Sequence, residues 1–196
     1  MTALLTAWHF EKSEEGVRCD EFVDESTDDW RGDHMLLGLL GDSHDRMSHI
    51  EAAVKVFNGE GVDRVLHAGD YVAPFALRPL EGLKAPWVGV FGNNDGEREG
   101  LTKVSEGRIQ GVRLDGEFGG RKVVLVHEQE RALNDEGKLP SADVVIHAHT
   151  HVFHVERIGE VWVVNPGECC GYLSGRGTVA LLDTDDLAVT RVVLEP

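Results

Sequence analysis

Five short runs rich in Val and Leu each end in a polar turn, and this recurrence constrains the chain more than any other feature. Met35 to Leu40 runs into Gly41-Asp42-Ser43-His44-Asp45, Val62 to Leu66 into His67-Ala68-Gly69-Asp70, and Pro86 to Phe91 into Gly92-Asn93-Asn94-Asp95. Val123 to Val126 meets His127, and Val144 to Ile146 leads into His147-Ala148-His149-Thr150-His151. Apolar runs bounded by such turns read as buried strands, and open α/β folds place ligands at the C-terminal ends of their strands. Alternate side chains of extended backbone point the same way, so His149 and His151 are expected to present two imidazoles to one side of a loop. A lone Asp in a turn ordinarily caps a helix or closes the turn. Recurrence at five strand ends instead predicts a polar cluster at one edge of a sheet.

Between the runs, Met47, Ile50, Ala53, Val54 and Phe57 recur at three and four, which predicts a helix from Arg46 to Phe57 stopped by Asn58-Gly59 and Gly61. Further helices are expected over 73–83, with Pro79 bending or ending it, over 97–107, and over 130–137. Residues 112–114 and 123–126 read as strands joined by a Gly116 to Gly120 turn. After His151 strands follow strands: 152–158, 161–164, 178–182 and 189–194. Alternation first and strands later predict an α/β fold, a layered α/β/β/α sandwich of two mixed sheets flanked by helices.

Residues 1–34 carry 10 acidic and 3 basic residues without apolar periodicity, so they are expected to form a disordered acidic extension. The folded domain is expected over 35–196, with Met35 either an initiator itself or preceded by a real extension. The net charge of −16, with only 6 Lys, opposes binding to phosphate backbones, so nucleic acid is a disfavoured partner. Such a surface suits concentrated salt, where screening relieves self-repulsion, and equally suits an ordinary acidic cytoplasmic protein. Three Cys, two of them adjacent at Cys169 and Cys170, give no disulfide framework and point to a reducing cytoplasm. No apolar run approaches the roughly 20 residues that cross a bilayer, and the first ten residues lack the basic start of a secretory signal. A homo-oligomer stays open.

Two divalent cations held about 3.5 to 4 Å apart need mixed N and O ligands and one group that reaches both. Asp42, His44, Asp70, Asn93, His127, His149 and His151 supply such a set. Carboxylate with imidazole and no thiolate suits Mn, Fe, Zn or Ni better than Ca or Mg. Gly-Asp-x-His, Gly-Asp, Gly-Asn-x-Asp, a lone His after a strand and His-Thr-His, in this order, resemble the calcineurin-like metallophosphoesterase superfamily. The small single-domain phosphodiesterases of bacteria and archaea are the nearest branch, and Asn165-Pro166-Gly167 with Arg176-Gly177 resembles its tail. The resemblance implies that Asp42, His44 and His151 hold one metal ion, and Asn93, His127 and His149 the other. Asp70 then bridges the two, and manganese is the first expectation.

The implied reaction is hydrolysis of a small-molecule phosphodiester by in-line attack of a hydroxide between the ions, with Asp70 and Asn93 as the catalytic residues. His49, His67, His147 and His154 have no ligand counterpart and are expected to be structural, while Asp45 and Asp95 are candidates to orient imidazoles. Three departures stand out. Ala148 replaces a usual Gly. Glu128 replaces another and is expected to add negative charge beside the substrate. Asn94 stands where the protein phosphatases of this superfamily carry a His that protonates the leaving group, which weighs against strong monoesterase activity. The alternatives are a broad phosphomonoesterase, a nuclease, which the scarcity of basic residues opposes, and a non-catalytic scaffold like the retromer subunit of this fold. A scaffold is free to lose ligands, and this chain keeps all seven.

Overall fold

The computed structural model describes residues 34–195; the acidic segment and the disorder expected of it lie almost wholly outside them. The elements are β1 (Leu36–Leu40), α1 (Met47–Glu60), β2 (Arg64–His67), a 3₁₀ helix (Pro74–Gly82), β3 (Trp87–Gly89) and α2 (Arg98–Val104). Then follow β4 (Arg113–Phe118), β5 (Arg121–Val126), a 3₁₀ turn (Gln129–Ala132), β6 (Val144–Ile146), β7 (Phe153–Ile158), β8 (Val161–Pro166), β9 (Thr178–Asp183) and β10 (Val189–Val193). They build two five-stranded sheets, ordered β10-β9-β1-β2-β3 and β4-β5-β6-β8-β7. Both sheets are mixed. In the first β1, β2 and β3 are parallel, and in the second β5, β6 and β8 are.

The two-residue period of these strands sorts their side chains into layers. In β1, Leu37 and Leu39 face the space between the sheets with Leu66, Leu125, Ile146, Val164 and Leu182, while Leu36 and Leu40 turn to the helices with Ile50, Phe57, Leu77 and Leu80. Likewise Val123, Leu125, Val144 and Ile146 point inward, and Val124, Val126 and Val145 point to the outer side of the second sheet. Full burial of one such side chain is worth about 1.5–3 kcal/mol, so a one-residue slip in register would be costly throughout. Helix α1 lies so close to β1 that a methyl group at Gly38 would meet the Phe57 ring at 2.7 Å.

Local chemistry moves several boundaries from those expected. Helix α1 runs past Gly59 and stops at Gly61, which takes a left-handed φ of 68° and donates its N–H to the Phe57 carbonyl. The 73–83 segment is a 3₁₀ helix over Pro74–Gly82, because Pro79 has no N–H for an α-helical ladder. The β4–β5 turn is Gly119-Gly120 alone, with φ of 54° and 71°, and Gly116 sits inside β4. The helix expected over 130–137 is absent beyond Gln129–Ala132. There the Asn134 side chain accepts the Glu136 and Lys138 N–H groups, which closes a turn in place of the helix. Among the described residues, the apolar cover over the outer face of the second sheet therefore consists of Ala132, Leu139 and Ala142.

Candidate metal centre

The five polar turns meet where the parallel strands of both sheets end. The edge is thus shared between two facing sheets rather than belonging to one. Strands β1, β2 and β3 deliver Asp42 and His44, Asp70, and Asn93, and strands β5 and β6 deliver His127 and the 147–151 segment. The turns are tied to one another through the backbone. Asp42 donates its N–H to Gly69, Ser43 and His44 donate theirs to Asp70, and Ala148 donates to His127.

Asp70 lies at the middle of the cluster. Its Oδ2 is 3.4 Å from His44 Nε2 and 3.3 Å from His127 Nε2. On one side His151 Nε2 lies 3.7 Å from Asp42 Oδ1, and the His44 and His151 rings stack with centroids 5.2 Å apart. On the other side Asn93 Oδ1 lies 2.9 Å from both His127 Nε2 and His149 Nδ1, and the His127 and His149 rings meet edge to face. Asp42, His44 and His151 bring three ligand atoms within 4.8 Å of one another, as do Asp42, Asp70 and His127. All seven expected residues are thus brought together.

The 147–151 segment reaches this arrangement differently from an extended strand end. Strand β6 stops at Ile146, and His149 and His151 take left-handed φ values of 70° and 62°. The two histidines therefore serve opposite halves of the cluster. Asp42, His44 and Asp70 also have positive φ, as do the neighbouring Asp45 and Val72. A β-branched residue such as Val72, at φ 81°, is strongly disfavoured there. Conformations of this kind cost about 1–3 kcal/mol each and persist where the surroundings dictate them, commonly at functional sites.

Lone pairs crowd the centre. His127 Nδ1 donates to the Ala68 carbonyl at 2.8 Å, so in the neutral ring Nε2 presents a lone pair to Asn93 Oδ1 and Asp70 Oδ2. Among the described residues, four buried side-chain polar atoms lack a hydrogen-bond partner, and two of them are Asp42 Oδ1 and His44 Nε2. Unpaired polar atoms converging in a buried place are costly unless a ligand sits among them, and carboxylate, carboxamide and imidazole together suit divalent cations. Burial pushes the Asp42 carboxyl up to about 6. Burial would raise Asp70 too, but with no cation present hydrogen bonds from a protonated His127 ring and from Asn94 hold it well below the usual carboxylate range. For His127, burial favours the neutral ring, yet the Asp70 carboxylate beside it raises the imidazole above its ordinary value.

The residues expected to support the site act in other ways. Asp95 accepts the N–H groups of Asp70, Val72 and Gly92, and Asp45 accepts that of Ala73, so both brace backbone rather than imidazole. His67 is stacked on Tyr71, receives the Gly69 N–H on Nδ1 and faces Ser43 Oγ with Nε2, outside the cluster. His147 is buried, His49 lies beside Ser48, and His154 pairs with Glu156 at the surface. Glu128 is held by Arg131, whose charge offsets the negative field expected there. The sequence assigned no role to two contributors, Asn165, which stood only in the tail motif, and Glu168. Asn165 donates to the Ala148 carbonyl and Thr150 Oγ1, and Glu168 lies 2.9 Å from His151 Nδ1. Both follow from β8, a sixth strand ending at the same edge, and the strand-end rule applied to Val161–Val164 would have reached them.

The chain is similar to known proteins. The family model of the calcineurin-like phosphoesterase superfamily domain matches residues 35–187. A phosphodiesterase of Methanocaldococcus jannaschii is 37% identical over 166 residues, 82% of this chain and the whole of that protein. The solved structure of an archaeal phosphodiesterase superposes with a TM-score of 0.72 at 34% identity, covering 82% of this chain and 100% of the other. Vps29 of Chaetomium thermophilum shares the fold at a TM-score of 0.59 with 16% identity, over 82% of this chain and 97% of that one. A family match over most of the chain and a relative aligned along its full length lead to one conclusion: this chain belongs to the calcineurin-like phosphoesterase superfamily.

Proposed function

We propose that the protein is a phosphodiesterase that uses two divalent cations, manganese first among them, to hydrolyse a small phosphodiester. The observation that carries this reading is the position of Asp70 Oδ2, within 3.4 Å of an imidazole nitrogen from each half of the cluster. Asp42, His44 and His151 would hold one ion, Asn93, His127 and His149 the other, and Asp70 would reach both. The cations would supply an activated water and neutralise phosphoryl oxygens. The chain fixes the ligands in advance through strained turns and backbone ties, so little reorganisation is left for the reaction. The full ligand set, and the relatives named as phosphodiesterases at 34–37% identity, favour this over a scaffold role.

Asn94 supports the diester. Its side chain donates to Asp70 Oδ2 at 2.8 Å, and a carboxamide has no proton to give at neutral pH. A monoester with a poor leaving group needs a nearby acid, whereas a diester with an acidic leaving group needs less help. With Mn²⁺ supplied, kcat/KM is expected to be higher for a bis-aryl phosphate than for the mono-aryl phosphate. Asn94→His is expected to shift the ratio toward the monoester, by up to the roughly 10²-fold that general acid catalysis gives. A parental preference for the monoester, unmoved by Asn94→His, contradicts the proposal.

A further inference from the structure

Two residues beyond the end of strand β8 lies a buried carboxylate, that of Glu168, which among the described residues touches the metal-ligand cluster through one ring. Its Oε2 lies 2.9 Å from His151 Nδ1. The same carboxylate accepts the Leu173 N–H, 3.1 Å from each oxygen, the Ser174 N–H and the Cys170 thiol. Several donors surround it, so its oxygens are committed as acceptors. The backbone leaves it little freedom. Thr178 donates its N–H to the Glu168 carbonyl, and the two residues after Glu168 donate theirs to Gly41 and Asp42. At Gly167, with φ 78°, a methyl group would meet Thr178 Oγ1 at 2.3 Å, so the approach to Glu168 is closely packed.

An acceptor on Nδ1 leaves the proton there and the lone pair on Nε2. His151 Nε2 is the nitrogen that faces Asp42 Oδ1, itself without a hydrogen bond. In the other half of the cluster His127 Nδ1 donates instead to an uncharged acceptor, the Ala68 carbonyl. We infer that Glu168 is a positioning residue for His151: its carboxylate accepts the hydrogen bond of the Nδ1–H, fixes the ring and turns the Nε2 lone pair toward the cation site. This rests on the proposed ligand role of His151.

The test is Mn²⁺ binding to the full chain by calorimetry, with bound metal counted after dialysis. Glutamine offers one acceptor and one NH₂ group, so in Glu168→Gln either His151 or the loop N–H groups lose their partner. Glu168→Gln is expected to weaken one of the two Mn²⁺ sites by roughly 10- to 100-fold and leave the other within twofold. In a His151→Ala background the same substitution is expected to change Mn²⁺ affinity less than about twofold, because its effect runs through that ring. An equal loss in both backgrounds overturns the inference and makes Glu168 a loop anchor. If His151→Ala weakens Mn²⁺ binding and Glu168→Gln does not, the inference fails and the ligand reading stands. If neither changes it, His151 is no ligand and both fail. Should Glu168→Gln not fold, Glu168→Asp, which keeps the charge but withdraws it from Nδ1, is judged by the same outcomes.

Discussion

At Gly92 a methyl group would lie 2.1 Å from Asp70 Oδ1 and 2.5 Å from the Asp70 nitrogen. The glycine is there because the central carboxylate occupies the space a side chain would need. Gly92→Ala must therefore push Asp70 aside, and displacement by about 1 Å at a reacting centre costs on the order of 10²-fold in rate. The expected outcome is a loss of at least that size in Mn²⁺-dependent kcat on a bis-aryl phosphate. Parental turnover would show that Asp70 is not held as described. The residue scale was the most legible part of the sequence, since Asp, His and Asn beside Gly after a strand carry their chemistry in their identity. The supporting contacts were not legible. Asp95, Asn165 and Glu168 act on partners 25, 17 and 17 residues away, and only the fold brings these together.

Elements were readable where burial imposes a period. Strands β1, β5 and β6 carry continuous apolar runs because both their faces are covered, by the inter-sheet core on one side and by helices or the 129–142 segment on the other. Polar segments were less readable, because a single side chain can redirect them. Asn134 closes a turn where a helix was expected, and Pro79 converts an α pattern to 3₁₀. The His-x-His run shows the same limit. Alternation along a strand predicted one shared direction, whereas two left-handed residues send His149 and His151 to opposite halves.

For the whole molecule, buried histidines set the pH response of the metal-free protein. Burial pushes His67 down to about 3 and lowers His44 and His147 as well, so below the ordinary value of 6.5 the unfolded chain binds protons that the fold does not. Their stability is present above that value and lost as pH falls through it. Glu168 acts in the same sense at lower pH. Burial opposes its ionisation, but hydrogen bonds from His151 and Ser174 hold it at about 2, so its contribution fades below its ordinary 4.5. Asp42 works the other way: with its carboxyl at about 6, the fold binds a proton between 3.8 and 6 that the unfolded chain lacks. In EDTA the melting temperature is expected to fall from pH 7 to pH 4, and to fall more steeply in Asp42→Asn, which removes one of the two opposing groups, His127 with its raised imidazole being the other. A flat profile in both proteins would contradict this assignment.

The shape of the molecule comes down to two sheets whose parallel strands stop at one shared edge, with Asp70 between two sets of nitrogen and oxygen donors. The most direct test is the number of Mn²⁺ ions bound per chain in the parental protein and in Asp70→Asn, which keeps the size of the side chain and removes its charge. The account predicts two ions in the parental protein, and in Asp70→Asn a loss of tight binding at both positions together with loss of phosphodiester turnover. Two ions bound to Asp70→Asn at parental affinity, or none bound to the parental chain, would contradict it.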